Sequence, residues 1–255
     1  MSEGASTGEL THERRRAVLR QSWSVGIATG LYGVSFGALS VAAGLDIWQT
    51  QALSALMFTG GSQFAFVGIV GTGGLAAAPA AIATATMLSI RNGLYALSTR
   101  RFLAPEDGRF HPLRKAAAAQ LTIDESSAVG LAQPEPPASR IGFWHTGIAV
   151  FLFWNLMTLV GALAGSVIGD PKTFGLDGAA VAAFLALVWS RLKSAEARLT
   201  ALGAAVLALV TVPFVPAGVP VLVAALAAVF FGLRGATAGA TAPPPDPAKD
   251  GDPVP

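Results

Sequence analysis

From Ile47 to Ile90 the chain runs 44 residues without Asp, Glu, Lys or Arg, and the run ends on Arg91-Asn92. A bilayer span needs about 20 apolar residues, so this stretch alone is long enough for two. A guanidinium at membrane depth costs about 2.5–3.5 kcal/mol on insertion scales. Residues that costly sit on a substrate or ion path, paired with something. The feature points to a membrane transporter or channel.

Composition agrees. The chain is 53% hydrophobic and 13% charged, where soluble domains average about 25% charged. Further uncharged runs cover Ser24–Leu45, Ile141–Gly169, Gly178–Ser190 and Leu199–Leu233. A net charge of +2 with no basic face interleaved with aromatics gives nucleic acid nothing to bind. With no cysteine, disulfides, thiolate metal sites and cysteine catalysis are excluded. The sequence implies no metal and no cofactor, and it has no HExxH, GxSxG or GxxxxGK[ST]. We read it as a non-enzyme without an ATP motor.

The fold expected is all-α: a polytopic membrane protein of about seven transmembrane helices, at least one broken or re-entrant. Residues 1–22 form a polar basic N-terminal segment with Arg14, Arg15, Arg16 and Arg20. The apolar run after it is longer than the 7–15 residues of a signal peptide, so it reads as a retained span. Residues 23–234 form the transmembrane domain, with a polar connecting region at 99–140, and 235–255 read as a disordered tail. The expected spans are Trp23–Leu45, Trp48–Val70, Leu75–Ser98, Trp144–Gly169, Gly178–Arg191, Ala195–Val212 and Ala217–Leu233. Trp23, Trp48, Trp144 and Trp189 fall at span ends, where amphipathic rings favour the interface. Within the polar region, Lys115–Gln133 has a helical pattern, and its relation to the membrane stays open.

Orientation exposes a conflict. Basic residues concentrate before the first span, in Arg100–Lys115, in Arg191–Arg198 and at Arg234. Positive-inside logic puts all four on the cytoplasmic face. That requires an even number of crossings between Arg20 and Arg100, where three hydrophobic segments are counted. A broken or re-entrant element at Gly60-Gly61 would resolve it.

Several motifs carry chemistry. Gly26, Gly30, Gly33, Gly37 and Gly44 recur at helical spacing, as do Gly161, Gly165 and Gly169, which reads as close helix contact or as a hinge. In Thr59-Gly60-Gly61-Ser62-Gln63-Phe64, tandem glycine weakens a helix by about 1 kcal/mol each and frees backbone groups. Those groups would meet a polar solute or a neighbouring helix. In the third span Thr84, Leu88, Arg91, Tyr95 and Ser98 form one stripe. Arg91, with Asn92 and Tyr95 beside it, reads as an anion or carboxylate contact, or as a side chain snorkelling to the interface. Asp124-Glu125 reads as a pair holding an ammonium, a cation or a transported proton, or as a solvated helix turn. Asn155 is a further mid-span polar candidate.

At these residues the chain resembles the AzlC family, the large subunit of bacterial branched-chain amino-acid exporters. The resemblance rests on Gly33-Val-Ser-Phe-Gly37 with Gly44, Gly60-Gly61-Ser62-Gln63-Phe64, Arg91-Asn92-Gly93-Leu94-Tyr95, Gln120-Leu-Thr-Ile-Asp124-Glu125 and Phe174-Gly-Leu-Asp177, and covers about Trp23–Leu233. It departs at Ile123, which separates Thr122 from Asp124 where many relatives read Thr directly before Asp-Glu.

The resemblance implies an inner-membrane permease that expels valine, leucine or isoleucine, and in some relatives methionine. It implies a small hydrophobic AzlD-type partner subunit. Gly60, Gly61, Ser62, Gln63, Arg91, Asn92 and Tyr95 are then the substrate-binding candidates. Arg91 would take the carboxylate, and Asp124 or Glu125 the ammonium or a coupling proton. A non-transporting membrane scaffold is the competing class, with the glycine stripes serving oligomerisation.

Overall fold

The computed structural model describes residues 10–104, 111–168, 185, 188–189, 192–215, 219–226 and 229–230. Among these every regular element is a helix. The chain divides into two compact units, Met1–Leu187 and Val188–Pro255.

The first unit is built on two long helices lying side by side. α1 (His12–Leu31) continues through Tyr32 into α2 (Gly33–Ala42), and α8 (Pro136–Ile168) runs parallel to them. Their starts meet where Arg14 reaches Gln133 at 2.9 Å and Glu135 at 3.2 Å. The seam between them is made of missing side chains. A methyl placed on Gly26, Gly30 or Gly37 would fall on Ala149, Phe153 or the Thr158 carbonyl, and one on Gly33 would stand 2.5 Å from the Trp154 carbonyl. From the other side Gly161 and Gly165 face Val34 and Ala38. Of the two readings of the stripe, close helix contact is the one observed here. Gly44 does not belong to it. At φ 93 it stops α2, with Gly44 N–H donating to the Val41 carbonyl and Leu45 N–H to the Ser40 carbonyl, the Schellman pattern of a helix end.

Two residues later the chain turns back. Asp46 caps α3 (Ile47–Leu56): its carboxylate accepts from Gln49 N–H at 2.8 Å, and Gln49 Oε1 accepts from Asp46 N–H. The helix stops at Met57–Gly60, and α4 (Gly61–Gly73) begins. The expected second span is therefore a helical hairpin. Its tip reaches the middle of α8, with Phe58 5.1 Å from Phe151 and Phe64 6.1 Å from Trp154. Its far end returns to α2, where Gly71 lies against Ala43. Thr59 lies in the break, outside both helices.

A short 3-10 turn, Leu75–Ala77, leads into α5 (Ala78–Leu103). It runs antiparallel to α4, with Ser62 against Ser89, and ends beside the start of α8. There Phe102 lies against Phe143, and the Phe102 carbonyl accepts from Arg140 Nε at 2.6 Å.

The expected helix over Lys115–Gln133 is two, α6 (Pro112–Gln120) and α7 (Asp124–Leu131). Side-chain capping ends the first: Thr122 Oγ1 donates to the Ala118 carbonyl at 2.6 Å. Ser126 Oγ accepts from Ile123 N–H and donates to the Leu121 carbonyl. This second hairpin has its tip at Gly147, against Leu121, and returns to the α8 start with Val129 at Gly142 and Gln133 bonded to Gln21.

Phe36, Phe64 and Trp154 join α2, α4 and α8 at centroid distances of 5.6–6.1 Å. Small polar side chains are buried beside this apolar core, and large apolar ones face outward. Ser22, Ser40, Thr50, Ser54, Gln63, Thr146 and Thr158 are fully buried, while Ile82, Leu94, Leu97, Leu152 and Leu156 are exposed. Such a surface fits lipid.

Other boundaries shift. α1 begins at His12, capped by Thr11 Oγ1, so residue 22 is no structural boundary. α8 starts eight residues before Trp144, carried by Pro136-Pro137 in its first turn. Among the described residues two helices are long and apolar enough to cross a membrane, His12–Ala42 and Pro136–Val167, so seven spans are not seen. In the second unit α9 (Ala195–Thr211) matches the expected sixth span, and of the seventh residues 219–226 and 229–230 are helical. Most of Gly178–Arg191, all of Phe174–Asp177, Gly169 and the tail at 235–255 lie outside the described residues.

Candidate functional site

The tips of the two hairpins meet at Arg91. An α-helix leaves its last carbonyls short of intrahelical partners, and at the end of α3 those of Leu53, Ser54 and Ala55 accept from side chains elsewhere. Gln63 Nε2 donates to the carbonyls of Leu53 at 3.1 Å and Ser54 at 3.2 Å. Gln120, the last residue of α6, donates to the Ala55 carbonyl at 2.7 Å. Beyond them Arg91 Nη2 approaches the Thr59 carbonyl at 3.5 Å. The negative end of α3 thus faces amide and guanidinium donors, as its dipole favours.

Gly60 makes this break possible. Its φ of 63 is a conformation L side chains rarely adopt, and its N–H donates to Gln63 Oε1 at 3.2 Å. Gln63 is fully buried and serves both sides of the gap. Gly61 faces Arg91, since a methyl there would stand 3.5 Å from Nη2.

Arg91 and Asp124 form an ion pair, Nη1 to Oδ2 at 3.1 Å, with 38% and 24% of their side chains exposed. Asp124 opens α7, where the positive dipole end favours a carboxylate. Arg91 therefore spans from the first break to the second. Among the described residues, Arg91 Nε and Asn92 Oδ1 are buried without hydrogen-bond partners. A buried donor or acceptor left unmet costs about 1–3 kcal/mol.

Of the sequence-predicted residues, Gly60, Gly61, Gln63, Arg91 and Asp124 come together at this junction, while Asn92 is half-buried beside Arg91 on α5. Ser62 is buried one step aside, its hydroxyl 3.0 Å from that of Ser89. Tyr95 is half-buried one helical turn beyond Arg91, and Glu125 half-buried in the first turn of α7. Leu88, on the same stripe of α5, is exposed. Asn155 sits elsewhere: Gln51 Nε2 donates to its carbonyl across α3 and α8. Sequence reasoning missed three contributors. Gln120 carried a usable signal, a polar residue preceding the acidic pair by one helical turn. Ser89 and the Thr59 carbonyl carried none.

A family model for the AzlC protein matches residues 24–168, more than half of the chain, and the chain belongs to that family. The match contains every residue of the junction and stops before the Phe174–Asp177 block. Membership makes it a transport-associated membrane protein, related to branched-chain amino-acid transport through a family that works with a partner subunit. No curated protein and no solved structure matches the chain.

Proposed function

We propose that this AzlC-family chain is the membrane permease of a branched-chain amino-acid exporter, and that Arg91 and Asp124 hold the two charges of the substrate. The observation that carries the reading is the Arg91–Asp124 pair, at the meeting point of two broken helices. Discontinuous helices whose ends face a charged ligand are a recurrent transporter device. A pair this accessible contributes about 1 kcal/mol or less in water, so a zwitterion can part it. The carboxylate then takes Arg91, with Nε newly satisfied, and the ammonium takes Asp124 and Asn92 Oδ1. One ion pair becomes two. The hydrocarbon end of valine, leucine or isoleucine would rest on the apolar groups around the tips, where Phe58 and Phe64 lie.

The basic residues at the α1 and α5–α8 ends make that side cytoplasmic. Multi-pass insertion in a bacterial inner membrane, the small AzlD-type partner, methionine as a further substrate, and drive by the proton or charge gradient complete the proposal. The chain carries no ATP-binding motif, which favours a gradient. The test is leucine and valine efflux from cells expressing the chain with and without its co-encoded small membrane protein. Efflux that requires both and collapses with a protonophore at maintained ATP supports the reading. Efflux that survives the protonophore rejects gradient coupling, and no efflux under any condition rejects transport in favour of a scaffold.

A further inference from the structure

The unit α1–α7 repeats one plan in opposite directions. A long helix, α1–α2, ends and is followed within five residues by a hairpin whose tip points back along it. Another long helix, α5, runs the opposite way and is followed by a second hairpin, α6–α7. The tips share a local device. In each, a Thr precedes the residue before the second helix: Thr59-Gly60 and Thr122-Ile123. In each, that last residue's N–H donates to the side chain three positions on, Gly60 to Gln63 and Ile123 to Ser126, both at 3.2 Å. The ends of the first hairpin lie at the C-terminal end of α2, with Gly71 on Ala43. The second returns to the opposite end of the same helix pair, with Gln133 on Gln21.

We infer that α3–α4 and α6–α7 are re-entrant hairpins entering from opposite faces of the membrane, each gating one shared site from its own side. Resting on the transporter reading above, this assigns Gln120 a role of its own. Its hydrogen bond to the Ala55 carbonyl clasps tip to tip, so it is a positioning residue whose loss frees the first hairpin. It also resolves the orientation conflict, because only α1–α2 and α5 then cross between Arg20 and Arg100. Opposed hairpins of an inverted repeat are suited to alternating access, one parting while the other stays closed.

The natural absence of cysteine makes the test direct. Single cysteines are placed at Trp48 and Leu75, flanking the first hairpin, and at Leu113 and Ala132, flanking the second; all four positions are exposed. Ala76→Cys and Lys115→Cys serve as neighbours if one variant expresses poorly. All should react with a maleimide in permeabilised cells. In intact spheroplasts, an impermeant maleimide outside the cell should label Trp48→Cys and Leu75→Cys, and leave Leu113→Cys and Ala132→Cys unlabelled. A hairpin whose two ends label from opposite faces overturns the inference, as do four positions labelled from one face. Gln120→Leu should raise outside labelling of Met57→Cys severalfold, and an unchanged rate overturns the clasp. Labelling does not depend on substrate, so a chain that labels as expected but exports nothing refutes the transporter reading and leaves the topology standing.

Discussion

Two regions of the first unit depend on glycine for opposite physical reasons. Along the seam of α1–α2 with α8, Gly26, Gly30, Gly33 and Gly37 are needed because a side chain has no room. At the hairpin junction, Gly60 has open space around it and is needed because its backbone sits at φ 63. The seam is continuous helix, closed by backbone contact of the kind that holds helices together where lipid offers no hydrophobic drive. The junction is interrupted helix, closed by long polar side chains from Gln63, Arg91 and Gln120. One region is a scaffold that cannot give way, and the other is made of contacts that can exchange partners.

Gly37→Leu presses hardest on that contrast. Its side chain would be driven into the Thr158 carbonyl, backbone that cannot yield, so the variant should lose about 3 kcal/mol, the upper part of the usual overpacking cost. The thermal midpoint of the detergent-solubilised chain measures this. Gly93→Leu, where nothing lies within 4 Å, should leave the midpoint unchanged. Equal losses would dissolve the distinction.

Arg91→Ala should act the other way, on transport and not on the fold. It removes charge-assisted hydrogen bonds worth about 1.5–3 kcal/mol each, so leucine efflux should fall more than about tenfold at normal folded yield. A variant that misfolds instead would make Arg91 part of the scaffold.

The adjacent glycines at the first tip separate next. Gly60→Ala places a Cβ in a positive-φ conformation and should cost about 1–2 kcal/mol, read as a lower midpoint and reduced efflux. Gly61→Ala meets Arg91 only at van der Waals distance and should stay within about 0.5 kcal/mol of the parent. A reversal of that order would mean that steric room, not backbone conformation, governs the tip. On the surface, Arg14→Ala breaks an exposed pair with Glu135 and should shift stability by about 1 kcal/mol or less.

How legible these regions were follows from their physics. The seam announced itself, because residues three and four apart share a helical face and a stripe of glycines has few uses. The first break was legible in tandem glycine. The second was not: Leu121-Thr122-Ile123 contains no glycine or proline, and it turns because Thr122 and Ser126 capture backbone groups that a helix would have used. The bond from Gln120 to Ala55 joins positions 65 apart in sequence, and no local pattern encodes it. Arg91 and Asp124 were both singled out as charges out of place, one for each end of a substrate. That they hold each other was not foreseen, because spacing along a chain says nothing of two helices meeting tip to tip.

The central claim is that Arg91 and Asp124 recognise a zwitterion by trading each other for it. Competition against leucine export in inverted vesicles, using leucine, its amine analogue lacking the carboxylate and its acid analogue lacking the ammonium, tests this directly. The account predicts strong competition from leucine alone in the parent chain, and loss of that preference in both Arg91→Gln and Asp124→Asn. Competition by either single-charge analogue as strong as by leucine, or an undiminished preference in both variants, would contradict it.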